Sequence, residues 1–377
     1  MIEQQHQSKS GGQRGRALSI DDIRALELGA AILGTGGGGN PHIGRLRTEQ
    51  LLKNGHTLRL LPFDDLRDDD VVVSVGGIGA PVVGIEKFEK GDECYQAMRA
   101  VERAARVTAT ALISGEIGGA NAMEPMITAA QAGLPVVDGD GMGRAFPELQ
   151  MCTFFIYGQQ PWPAAVADEK GNSVVFTGVQ DMFWLERLSR NATVDMGGTA
   201  GYALPPMSAA FVRRAAVPHM VSRAIELGET VLRARRDKQN PVDAIVDSCG
   251  GLRVFAGKIV DVNRRLARGF AVGQVLLDGL GPDSGVRLSI DLQNENLIAR
   301  KEGVAVVTVP DLICMVDLES GEAITTEVLR YGLRVAVIGL PCHPLLRTPE
   351  ALAVIGPRAF GYDLDYRPLG GDTGGRS

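Results

Sequence analysis

The sequence predicts an α/β protein: a three-layer N-terminal domain on a mostly parallel sheet, followed by a β-rich domain with attached helices. Three observations carry this. In the first half, short apolar runs at Val71 to Val75, Thr108 to Ile113 and Leu134 to Val137 alternate with helical segments. Strands apolar on both faces and separated by helices indicate a buried parallel sheet with helices packed on it. After Tyr157 the texture changes, and from Gly251 to about Leu340 strands and turns dominate. At 377 residues, the chain is also long enough for two cores.

The elements follow in order. Ser19 is placed to cap a helix carrying Ile20, Ile23, Leu26, Leu28 and Ile32, which runs into Gly34-Thr35-Gly36-Gly37-Gly38-Gly39. Asn40-Pro41 then opens a second helix to about Asn54, with proline at its first position. A strand is expected at Thr57 to Leu61, and helices at Gly91 to Val107 and Asn121 to Ala132. Pro161 to Ala167 and Ser173 to Thr177 read as strands joined at Lys170-Gly171-Asn172. Asp181 to Arg190 and Met207 to Arg236 read as helices. The expected layout is a disordered tail over 1–16, the α/β domain over 17–168, the β-rich domain over 169–369 and a second tail over 370–377.

Composition narrows the partners. A net charge of -6 gives no support to nucleic acid or an anionic membrane. The five cysteines, Cys94, Cys152, Cys249, Cys314 and Cys342, are odd in number and widely spaced, without Cys-x-x-Cys. That pattern fits free thiols in a reducing, cytoplasmic setting. No stretch approaches the 18 or so apolar residues of a membrane span.

The candidate chemistry sits where the strands end. The three runs lead into Gly76-Gly77-Ile78-Gly79, Ser114-Gly115-Glu116-Ile117-Gly118-Gly119 and Asp138-Gly139-Asp140-Gly141-Met142-Gly143-Arg144. Ligands of open parallel sheets bind outside the carboxyl ends of the strands. Glu116, Asp138, Asp140 and Arg144 are therefore candidates, and Glu148 joins them. Asp138 and Asp140, two apart, share a face if the strand continues. Paired carboxylates hold a hard cation or divide into acid and base. Each acid taken alone is better explained as a cap or loop anchor; position and glycine context favour function for the group of Glu116, Asp138, Asp140 and Glu148.

The Gly34 to Gly39 run precedes a helix, so its amides are candidates for holding an anion or a polarised carbonyl. Thr35, Gly36, Gly37, Gly38, Gly39, Asn40, Arg45 and Asn121 form the expected binding set. The run follows a helix, not a strand, and lacks Gly-Lys-Ser/Thr, so it is a weak nucleotide signature. Histidine is scarce, with His42 best placed, and neither Cys342-His343 nor Ser114 forms a recognisable nucleophile motif. The polar run Gln293-Asn294-Glu295-Asn296 and Pro310-Asp311-Leu312 read as strand-end punctuation that either faces the cleft or makes turns.

Taken together, Leu33-Gly34-Thr35-Gly36-Gly37-Gly38-Gly39-Asn40-Pro41, Gly115-Glu116-Ile117-Gly118-Gly119-Ala120-Asn121-Ala122 and Asp138 to Glu148 resemble the S-methyl thiohydantoin desulfurase family, long linked to hydantoinases and oxoprolinases. The resemblance continues through Gln293 to Leu297, Val309 to Ile313 and Gly356 to Asp363. Where the family usually carries an acid and an aromatic in the glycine segment, this chain has Asn40 and His42. The resemblance implies two domains and hydrolytic loss of sulfur from a thiohydantoin ring, giving a hydantoin. The expected mechanism is water attack on ring carbon C2, with Asp138 or Asp140 as base or as ligand to a divalent metal. The Gly34 to Gly39 amides would then hold negative charge, and Arg144 or Arg45 an anionic side chain of a cyclic ureide. Rival expectations are a non-catalytic partner of a hydantoinase or oxoprolinase complex, and a ring-opening hydantoinase. A homo-oligomer is the general expectation.

Overall fold

The computed structural model describes residues 14–370, except 81–82, 84–86, 88 and 268–269. Most of the first expected tail, and nearly all of the second, lie outside these residues. The chain is already ordered at Arg14, whose guanidinium bonds Asp70, and Arg16–Ala17 pairs with Arg59 and Leu60. The described residues thus begin inside the segment expected as a tail.

Four parallel strands form the centre of the first sheet. Arg59–Leu61, Val136–Asp140, Ala111–Ser114 and Val71–Gly79 lie side by side in that order. Val72, Val73, Val75, Leu112, Ile113, Val136 and Val137 are fully buried, as two-sided strands require. Helices Ile20–Leu33, Glu93–Ala105, Glu124–Ala132 and Met220–Arg236 cover the sheet, giving the expected three-layer α/β domain. Two of them touch backbone to backbone: a Cβ on Gly29 would lie 1.8 Å from the Ala224 carbonyl, and one on Gly228 1.8 Å from that of Ala25.

The sheet extends beyond its parallel centre. Thr199–Ala203 pairs antiparallel with Val71–Gly79, and Ala164–Ala167 and Ser173–Phe176 follow outward. A division at 168/169 thus falls inside this sheet. Thr-Ala-Gly-Tyr-Ala has no alternation to mark it as a strand; its partner makes it one. Met207 to Arg236 is not one helix. Ala209–Ala215 ends before Val217–Pro218, which bridges to Gly139–Asp140, and Met220–Arg236 starts afresh. Proline lacks the amide a helix needs and keeps Val217 extended.

The second sheet has seven antiparallel strands. Their order is Val304–Thr308, Glu295–Lys301, Arg287–Gln293, Phe270–Gly279, Leu252–Ala267, Arg334–Leu340, Leu312–Asp317. Strand period explains how it joins the first domain. In Arg334–Leu340, Val335 and Val337 enter the second domain's own core, with Phe255, Val275 and Ile290. Ala336, Ile338 and Leu340 point the other way, into the first domain's core. Cys314 continues this seam, its thiol donating to the Ile32 carbonyl at 3.2 Å. The first helix therefore delivers the oligoglycine run to the domain boundary.

Candidate functional site

The glycine run is pressed between both domains. Helix Ile20–Leu33, closed at its start by the Ser19–Asp22 capping box, gives way to Thr35 at φ 50°, Gly36 at 88°, Gly38 at 72° and Gly39 at 75°. The Thr35 and Gly36 carbonyls accept from the Asn296 and Thr326 amides of the second domain, at 2.8 and 2.7 Å. The Gly38 carbonyl accepts from Ala120 of the 115–122 loop at 2.8 Å. A Cβ on Gly37 would stand 2.0 Å from Glu295 Oε1, and one on Gly38 2.4 Å from the Gly118 carbonyl. What the glycines approach is thus largely the protein itself. Gly37→Ala should push Glu295 out of place, at a cost of about 1–3 kcal/mol for overpacking. Urea unfolding checks this, and an unchanged midpoint would refute the close contact.

The four acids do not converge as one cluster. Glu116 is buried beside the glycine run; its carboxylate accepts from Asn121 Nδ2 at 2.6 Å and the Phe146 amide at 3.0 Å. Burial raises its pKa to about 7, against these bonds and the Arg144 charge. Asp140, fully buried, accepts from the Ile117, Met142 and Gly143 amides, which ties the 115–118 and 141–144 turns together. Its pKa also rises to about 7, again through burial. Asp138 turns elsewhere. It accepts from the Ser222 amide at 2.9 Å and hydroxyl at 2.7 Å, capping helix Met220–Arg236. That helix starts at His219 without a cap of its own, so a cross-strand carboxylate supplies one. Glu148 accepts from Gln150 Nε2 and lies near Glu186 and Arg190. Among the described residues no group of three or more His, Cys, Asp or Glu side chains is arranged to hold a metal ion. The donor set expected for a divalent cation is not assembled.

Arg144 is fully buried, and each of its five N–H groups has an acceptor. Nε donates to the Ala145 carbonyl, Nη1 to those of Pro310 and Asp311, and Nη2 to the Asn296 carbonyl and Thr35 hydroxyl. It rivets the domains together and keeps no donor for a substrate anion. Arg45 is likewise engaged, by Glu27 and Glu49. Asn40 is exposed and its side chain accepts from the His42 amide, while His42 pairs with Glu27. Asn121 does lie at the centre. Its Oδ1 accepts from Gly77 at 2.6 Å while its Nδ2 orients Glu116.

Two residues read as strand-end punctuation belong to the site. Glu295 and Asn296 are buried, and Glu295 Oε2 and Asn296 Oδ1 have no hydrogen-bond partner among the described residues. Burial pushes the Glu295 carboxyl well above the ordinary range and Glu116 adds to the rise; Arg144 and the Gly38 amide oppose it. The hairpin itself needs only Asn294, at φ 56°. Two further polar residues beyond that turn were the available signal. Tyr202, from the unexpected strand, fits its hydroxyl against Gly76 and Gly115, near Glu116. A buried polar seam from both domains thus replaces the cluster of strand-tip acids.

Comparison with known proteins bears on this seam. No curated protein matches the chain. A solved structure that resembles it is a structural-genomics target from Chromobacterium violaceum, 26% identical with a TM-score of 0.75, covering 94% of this chain and 100% of that one. The S-Me-THD-like N-terminal domain matches residues 21–178 and the S-Me-THD-like C-terminal domain residues 180–369. Those two matches run through the oligoglycine segment, Glu116, Arg144 and Glu295 alike, and the chain belongs to the S-Me-THD-like family.

Proposed function

We propose that this chain is a hydrolase that removes the sulfur substituent of an S-methyl thiohydantoin or related cyclic ureide, using Glu116 and Glu295 as base and acid. The family supports a thiohydantoin-related function. One observation carries the finer reading. Two buried carboxyls, one from each domain, have raised proton affinities; Glu295 lies against Gly37, the charge of Glu116 reaches it and adds to its rise, and Glu295 Oε2 has no protein partner among the described residues. Neighbouring acids pushed to different proton affinities divide naturally into base and acid.

Water adds to ring carbon C2 and gives one proton to Glu116. The adjacent ring nitrogen takes the proton of Glu295. When the tetrahedral carbon collapses, the C–S bond breaks and the departing methanethiolate takes the proton from Glu116. The new carbonyl returns its hydroxyl proton to Glu295. Asn121 holds Glu116 in line, and the Gly38 amide donates to Glu295. Asp138, Asp140 and Arg144 serve the scaffold and not the reacting atoms.

A panel of hydantoins, thiohydantoins and S-methylated thiohydantoins tests this, with thiol release and ring opening followed separately, with and without chelator. Thiol release that survives chelator is expected, and Glu295→Gln should reduce it by about 10²-fold or more. Ring opening without thiol would favour the amidohydrolase. No product from any member would favour the partner subunit, for which exposed Phe183, Trp184, Leu188 and Val194 on helix Met182–Asp195 offer an apolar surface.

A further inference from the structure

A cavity of about 340 Å³ opens where the first turn of helix Met220–Arg236 faces the second domain. Neither Glu116, Glu295 nor the glycine run lines it. Leu33, Leu312 and Pro341 give it an apolar wall, while Arg223, Glu226 and His343 bring polar groups. Its size falls at the lower end of small-molecule sites.

The charges on this wall are unspent. Arg213, Arg214, Arg235 and Arg236 each engage an acceptor, but Arg223 has none among the described residues. Glu226, one helical turn on, also has no side-chain partner there, although residues three apart on a helix are neighbours. Opposite charges thus line one cavity without closing on each other. His343 adds a fixed donor. Its Nδ1 accepts from the Leu345 amide at 3.2 Å, which leaves the ring proton on Nε2. Burial, with Arg223 and Arg347 nearby, lowers its pKa and keeps the ring neutral.

We propose that this cavity binds a small zwitterion of the amino-acid type with an apolar side chain. The carboxylate lies on Arg223 and His343, the ammonium on Glu226, and the side chain against Leu33 and Leu312. An anchor for each charge, with an apolar wall between, selects against simple anions. The cavity also touches the proposed reaction site indirectly. Ser222 and Gly143 line it, and these are the groups that Asp138 and Asp140 hold. Both acids belong to strand Val136–Asp140, whose tip also fixes the Ile117 amide beside Glu116.

Calorimetry on the full chain with leucine, leucinamide and 4-methylpentanoate tests the assignment. Leucine is expected to bind saturably, and each analogue lacking one charge at least about tenfold more weakly, the scale of one lost charge-assisted contact. Arg223→Ala and Glu226→Ala should each weaken leucine by a similar factor. Glu116→Gln should bind leucine as the parent does, so the result is independent of the catalytic reading. No saturable leucine binding up to about 10 mM, a Kd worth only about 3 kcal/mol, would overturn the proposal. So would equal affinity for 4-methylpentanoate, or undiminished binding by Arg223→Ala.

Discussion

Glu116→Gln is expected to lower thiol release by about 10³-fold, within the range general-base catalysis contributes, and the pH profile should show why. The base must be ionised, so the parent rate should rise through an apparent pKa near the value of about 7 that burial gives Glu116. It should fall again where Glu295 loses its proton. Glutamine removes the rising limb and leaves whatever residual rate survives flat across it. The substitution also trades one acceptor for a donor facing either Asn121 Nδ2 or the Phe146 amide, which costs about 1–3 kcal/mol. A loss of activity with an intact melting transition is therefore the informative result. Near-parental rates would remove Glu116 from the chemistry.

Stability should move against activity over the same pH range. Glu116, Glu124 and Asp140 have folded pKa values of about 7 against ordinary values of 4.5, 4.5 and 3.8. Between those limits the folded state binds more protons than the unfolded chain, so stability falls as pH rises. Their contribution is full below about pH 4 and lost through pH 7. His343, whose pKa is lowered, works the other way below 6.5, but it is one group against three. The midpoint of thermal unfolding should thus be a few degrees higher at pH 5 than at pH 8, at about 2–4 °C per kcal/mol. The paired acids salted to low pKa, such as Asp70 beside Arg14, are ionised throughout that window and leave the trend unchanged.

What the sequence makes legible is what local pattern controls. The runs Val71 to Val75 and Leu134 to Val137 announce buried parallel strands because both faces are apolar. Ser19 and Asp22 announce the first helix because a cap is a contact between near neighbours. Partner choice across the fold leaves no such trace. Asp138 and Asp140 look alike in sequence, yet one caps a helix more than 80 residues away and the other pins two turns. Glu295 becomes a site residue only because the second sheet lays its strand tip on Gly37. Five glycines in six residues mark a backbone without side chains of its own, but nothing in that run says that much of what lies against it is the second domain.

Arg144→Met should destabilise the protein by about 3–5 kcal/mol, the cost of breaking a buried, hydrogen-bonded charge, and lower its melting midpoint by roughly 10 °C. The methionine fills much of the space but donates nothing. The carbonyls of Asn296, Pro310 and Asp311 and the Thr35 hydroxyl would lose a partner together in a buried seam. Glu116 and Glu295 would lose the one cation that favours their ionised forms. Arg144→Lys separates these losses. It keeps the charge but offers three donors in place of five and no planar fork, so it should fall between methionine and the parent. Because the guanidinium binds the oligoglycine turn to the second sheet, the seam itself should loosen first. Proteolysis near Thr35 or Pro310 should quicken in Arg144→Met before global unfolding does. A variant as stable as the parent to within about 1 kcal/mol would show that the shared apolar core, not this residue, joins the domains.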